Sequence, residues 1–121
     1  MSQSIRVWLH KDIFHLVEEQ AIKQGNSTPE ILRLSLIQGL EQPLALPKNY
    51  EIIHNSTGRA MRESKIQVVR KNVRIHQEVY DRVKEKASAN GWSISKTIRA
   101  AITRVTYEKK YGRAEKDGSL S

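Results

Sequence analysis

The chain has 121 residues, the length of one ordinary domain, and carries 21 Lys and Arg against 13 Asp and Glu, a net charge of +8. It has no cysteine, which excludes a disulfide framework and any Cys-based zinc site. No apolar run is long enough for a signal peptide or a membrane span, so a soluble protein of a reducing, cytoplasmic compartment with no membrane partner is expected. The charge is one-sided. Residues 1–63 hold seven Lys/Arg and seven Asp/Glu, whereas residues 64–121 hold fourteen against six. A basic half on a small protein points to a polyanionic partner, nucleic acid first, with a merely solvated surface as the plain alternative.

The first segment has period two: Ile5, Val7 and Leu9 alternate with Ser4, Arg6 and Trp8, as in a half-buried strand. The period then becomes helical, with Ile13, Leu16, Val17 and Ala21 on one stripe. Gly25 stands where that helix should end, because glycine enters the left-handed conformation without steric cost. Ser27 follows as the N-cap of a second helix. "STPE" reads as a capping box, with Glu30 three residues after the serine and Pro29 tolerated in the first turn. This helix is expected to bury Ile31, Leu32, Ser35 and Leu36 and to stop before Pro43 and Pro47.

Residues 41–64, "EQPLALPKNYEIIHNSTGRAMRES", read as a linker with a turn at 55–58. At about 3.3 Å per extended residue it is long enough to carry the chain back across a small domain. Tyr50, Ile52 and Ile53 could dock on the core.

The stretch "VVRKNVRIHQE" is the second strand. One face carries Arg70, Asn72 and Arg74, and the other carries Val73 and Ile75. Lys71 falls at an inward position and is read as lying at a fraying end of the ribbon, its stem along apolar surface and its ammonium in water. A helical stripe of Val79, Val83 and Ala87 follows, then Gly91, the capping Ser93, and a second helix burying Ile98, Ala101, Ile102 and Val105. The tail "YEKKYGRAEKDGSLS" continues the helix and then frays. Lys109, Lys110 and Arg113 could touch phosphates, against a default of a solvated tail.

The two halves are copies of one unit. Residues 7–37 align with 73–103 at an offset of 66 without a gap. Identities fall at Val7/Val73, His10/His76, Val17/Val83, Glu19/Glu85, Ala21/Ala87, Gly25/Gly91, Ser27/Ser93 and Arg33/Arg99. One strand and two helices, roughly 40 residues, rarely bury enough apolar surface to fold alone. A lone strand also leaves its backbone groups without partners. Residues 4–9 and 69–75 are therefore expected to pair antiparallel, with four helices sharing one core. The organisation is a first repeat over 1–40, a linker over 41–64, a second repeat over 65–112 and a flexible tail over 113–121, with both repeats in one folded unit.

The segments "IRVWLHKDIFHLVEEQAIKQGNSTPEILRLSLI" and "NVRIHQEVYDRVKEKASANGWSISKTIRAAI" resemble the ribbon-helix-helix family of Arc/MetJ/CopG-type DNA-binding proteins over about two thirds of the chain. Most members carry one copy and dimerise. Two copies in one chain resemble the tandem forms among accessory proteins of conjugative DNA-processing complexes. The resemblance implies a mainly α fold with a two-stranded antiparallel ribbon, built as a tandem pseudo-dimer. It implies a ribbon lying in the major groove with outward residues Ser4, Arg6, Trp8, Arg70, Asn72 and Arg74 at base edges. Arginine suits guanine O6 and N7, and asparagine suits adenine N6 and N7. It further implies phosphate contacts at the start of each second helix, at Ser27 and Thr28 and at Ser93, Ile94 and Lys96. Trp8 departs from the pattern. It either touches thymine methyls or sugar, or marks a strand that reads little.

His10 and His76 stand at the strand-to-helix junction in both copies and are expected to cap or pack at the first turn, since no close-spaced ligand pair suggests a metal. Trp92 is expected to pack over the helix junction near the phosphate site, with contact to the sugar–phosphate backbone as the other reading. No phosphate loop, nucleophile motif or catalytic carboxylate pair is present, so neither an enzyme nor a cofactor is expected. The expected function is sequence-specific binding of duplex DNA at a non-palindromic site. The protein would be an accessory component of a conjugative or plasmid DNA-processing complex that also regulates its own promoter. It would be monomeric, able to multimerise on DNA, and would have other DNA-processing proteins as further partners. A dedicated transcriptional repressor is the alternative. An antitoxin-type interaction module is the weaker one, because the tail is short and polar.

Overall fold

A computed structural model describes residues 2–43 and 68–112. In chain order these form β1 (Ser2–His10), α1 (Lys11–Gln24), α2 (Thr28–Leu40), β2 (Val68–His76), α3 (Gln77–Asn90) and α4 (Ile94–Tyr111). The described part is mainly helical, with one two-stranded antiparallel sheet made by β1 and β2. Within it, no helix is long and apolar enough to cross a membrane. Pro47, Tyr50, Ile52, Ile53, the turn at 55–58 and Arg113 lie outside the described residues.

The ladder runs from Ser2 opposite His76 to His10 opposite Val68. Alternation along each strand sends Ile5, Val7, Leu9, Val73 and Ile75 to the inner face, where all five are buried. They meet Ile13, Phe14, Val17 and Ala21 of α1, Ile31, Leu32, Leu36 and Leu40 of α2, Val83 of α3, and Ile98, Ala101 and Ile102 of α4 in one core. Each fully buried Val, Leu or Ile contributes on the order of 1.5–3 kcal/mol. The sheet is therefore held by shared burial as well as by its backbone bonds. The register places Arg6 opposite Asn72 at the midpoint of the ladder. These two residues stand at equivalent positions of the aligned copies, because the offset between them is the alignment offset of 66.

Helix ends follow the local signals. α1 ends at Gly25 with φ 69°, and α3 ends at Gly91 with φ 68°. Asn26 N–H reaches back to the Ala21 carbonyl at 2.9 Å, and Trp92 N–H reaches the Ala87 carbonyl at 2.9 Å, which satisfies groups the helix would leave orphaned. Ser27 Oγ accepts from Glu30 N–H at 3.3 Å, and Ser93 Oγ accepts from Lys96 N–H at 3.0 Å. α2 stops at Leu40, ahead of Pro43, with Glu41 as its C-cap.

α2 and α4 form the most extensive helix–helix contact. Gly39 makes it possible. A Cβ there would lie 2.5 Å from the Ala101 carbonyl oxygen and 2.7 Å from the Ala101 Cα. Beyond this crossing, α4 continues through Tyr111 and covers the exit of α2. Arg104 joins the two: its Nε donates to Glu108 Oε2 at 3.0 Å and an Nη donates to the Pro43 carbonyl at 3.2 Å. Lys86 Nζ reaches the Gln42 carbonyl at 3.5 Å from α3.

Two sequence expectations need correction. Lys71 is not at a fraying end. It pairs with Val7, next to the midpoint, and the ladder continues on both sides of it. The inward position tolerates it because the stem is long enough to leave the side chain exposed, with Nζ 5.4 Å from the centroid of the Phe14 ring. The two junction histidines are not equivalent either. Both occupy N-cap positions, but neither side chain makes a capping hydrogen bond. His10 is buried and packs as expected, whereas His76 is exposed.

Candidate nucleic-acid interface

The outer face of the ladder is the inverse of the inner one. Side chains that alternate away from the core form three cross-strand pairs: Ser4 with Arg74, Arg6 with Asn72, and Trp8 with Arg70. Five of the six are exposed and Trp8 is half-buried. Directly opposed residues have Cβ atoms roughly 4.5–5.5 Å apart, so the six make one continuous patch. The patch presents three guanidinium groups, a carboxamide, a hydroxyl and an indole. Neither strand contains an acidic residue, so nothing on the ribbon itself neutralises the cations. The structure thus brings all six sequence-nominated ribbon residues onto one surface. The guanidinium groups donate hydrogen bonds in a planar fork, and the carboxamide both donates and accepts.

The aromatic residue on this face has a cation beside it. Arg70 Cζ lies 5.2 Å from the centroid of the Trp8 ring, inside the range of cation–π attraction. Sequence alone does not reveal this contact, because it depends on ladder register.

The second nominated group divides between two helix starts. Ser27 and Ser93 are exposed, while Thr28 and Ile94 are half-buried. Only the backbone N–H of Ile94 is suited to an anion, since its side chain packs on the core. Both starts carry the positive end of a helix dipole, but Pro29 has no N–H and Ser27 Oγ takes that of Glu30, so the first turn of α2 offers only the Thr28 N–H, whereas that of α4 offers those of Ile94 and Ser95. Their first turns differ in sign. α2 carries Glu30, and the equivalent position of α4 carries Lys96. Lys96 Nζ lies 4.6 Å from the Trp92 ring centroid, so Trp92 shapes the cationic start of α4. Trp92 precedes the capping Ser93 and Lys96 follows it, so helical spacing does not announce this contact.

At the junction of β1 and α1, burial lowers the pKa of His10 below the usual histidine value. The Asp12 carboxylate opposes this shift, and the Arg99 guanidinium, from the other copy, adds to it. Among the described residues, no three His, Asp or Glu side chains cluster as metal ligands would. A groove of about 350 Å³ between the ends of α2 and α4, lined by Gln38, Glu41, Gln42, Val105, Glu108 and Lys109, shares no residue with the ribbon face.

No protein-family model, curated protein or solved structure matches the chain.

Proposed function

We propose that the chain binds double-stranded DNA sequence-specifically, as a ribbon-helix-helix pseudo-dimer within one chain whose ribbon enters the major groove. The observation that carries this reading is the outward cross-strand set Ser4/Arg74, Arg6/Asn72 and Trp8/Arg70 on a ladder whose opposite face is core. Arg6, Arg70 and Arg74 suit guanine O6 and N7, and Asn72 suits adenine N6 and N7. The pseudo-dimer reading is supported by the register, which opposes equivalent residues at the midpoint, and by matched Gly and Ser signals at the helix ends. Ser27 and Thr28, and Ser93, Ile94 and Lys96, serve as phosphate anchors. The two strands present different side chains, so the preferred site is non-palindromic.

The biological setting rests on the resemblance of the repeats. Tandem forms of this family accompany conjugative DNA processing, so the reading is an accessory protein that also regulates its own promoter. Footprinting on the host replicon separates this from a dedicated repressor. Protection beside a nick site supports the former, and protection confined to promoters supports the latter.

Selection from a random duplex pool tests the central claim. It should enrich one asymmetric consensus, and affinity for that duplex should fall with salt by about 0.9 log units per log unit of salt for each phosphate neutralised. A pool that stays random, or a flat salt response, overturns it.

A further inference from the structure

Trp8 and Arg70 face one another across the ladder, and the guanidinium carbon sits 5.2 Å from the indole centroid. Trp8 is half-buried at the foot of this contact, whereas Arg70 is exposed. The other two outward arginines have no ring across from them: Arg6 faces Asn72 and Arg74 faces Ser4. The ribbon therefore carries a guanidinium near each end, with only one seated on a ring.

A guanidinium resting on an aromatic face keeps its in-plane N–H groups available, and those are the groups that make a bidentate contact with guanine. Seating does not consume the arginine; it narrows the rotamers the side chain visits before it meets a base. Arg74, exposed opposite Ser4, has no ring across the ladder to narrow its rotamers, while Arg70 has the Trp8 ring.

Resting on the DNA-binding reading above, we infer that Trp8 is a positioning residue for Arg70, and that the Arg70 end of the site is read more stringently than the Arg74 end. Trp8 then acts on specificity through Arg70 rather than by contacting a base itself. One end of the recognised duplex requires guanine, and the other accepts substitution more readily.

The test uses the full chain and the duplex enriched from a random pool, with every base pair varied singly in competition assays. Wild type should discriminate more strongly at the base pair that Arg70→Ala relaxes than at the one Arg74→Ala relaxes. Trp8→Ala should lower discrimination at the Arg70 base pair by about 2–10-fold, the range set by ordering one long side chain, and leave the Arg74 base pair unchanged. Trp8→Phe should restore much of the difference, and Trp8→Ala should add little in an Arg70→Ala background. In the free protein, the Arg70 Nε–H proton should move downfield on Trp8→Ala as the ring current is lost. A uniform loss across all base pairs, or an Arg70 proton that does not move, overturns the role of Trp8 while leaving DNA binding intact. If wild type enriches no sequence, the reading beneath it fails, and this inference fails with it.

Discussion

Gly39 of α2 lies against the Ala101 backbone of α4, so close that any Cβ at position 39 would stand 2.5 Å from the Ala101 carbonyl oxygen. Two effects compete when alanine replaces this glycine. Helix propensity favours alanine by about 0.8–1 kcal/mol. The clash is with backbone rather than a movable side-chain tip, so the helices must separate, and overpacking of this kind costs about 1–3 kcal/mol. The clash should win. Gly39→Ala should lower stability in urea titration and Gly39→Val should lower it further; a stabilised Gly39→Ala would show that the two helices are not this close.

The midpoint pair offers a test that conserves composition and charge. Arg6 and Asn72 oppose one another at the centre of the ladder, so exchanging them as Arg6→Asn with Asn72→Arg moves each group across a near-symmetric position. Both are exposed, and stability should change by no more than about 0.5 kcal/mol. The central base pairs of the selected duplex should reverse strand while the flanks keep their orientation. A double variant that selects the original centre would remove these residues from base reading.

Glu30 and Lys96 occupy matching positions in the first turns of α2 and α4. Lys96→Glu should weaken binding to specific and random duplexes alike, and should flatten the logarithmic salt dependence by about 1 if one phosphate contact is lost. Glu30→Lys should do the reverse, at a folding cost of about 0.3–1 kcal/mol because an acidic side chain suits the helix start. Anisotropy titrations over a salt series measure both slopes. Unchanged slopes would place these helix starts away from the DNA backbone.

His10 should make stability depend on pH near neutrality. Burial holds its pKa below the ordinary 6.5, with Asp12 opposing and Arg99 assisting. The unfolded chain therefore takes up a proton before the folded one does. The contribution of neutral His10 is fully present above about pH 6.5 and is lost as pH falls toward the lowered folded value, with a slope of at most about 1.4 kcal/mol per pH unit. Urea titrations from pH 7.5 to 5.5 should show the decline, and His10→Gln should flatten it whatever its effect on absolute stability. An unaltered slope in that variant would assign the decline to other groups.

The fold was largely legible because its signals are local. Alternation at Ile5, Val7 and Leu9 named the inner face, and Gly25, Ser27, Gly91 and Ser93 marked helix ends through backbone geometry that few other residues satisfy. What stayed hidden depends on which residue meets which. A period of two states which face a side chain takes but not its partner, so the Trp8–Arg70 contact and the central place of Lys71 emerge only from the register. The same holds for Gly39, which reads as an ordinary helix weakener until α4 is placed beside it. Matching histidines misled for a related reason. Position 10 faces Val68 and lies near Arg99, whereas position 76 faces Ser2 at an exposed ladder end, so identical letters met different surroundings.

Both strands of the ladder belong to one polypeptide, with Ser2 opposite His76 in the sheet. Closing so distant a pairing makes folding slow compared with a helical protein of this size. In exchange, assembly of the sheet is a first-order event that dilution does not reverse, unlike a sheet shared between subunits. Each edge can also change by single substitutions that are not mirrored on the other, so the two sides are free to diverge one residue at a time.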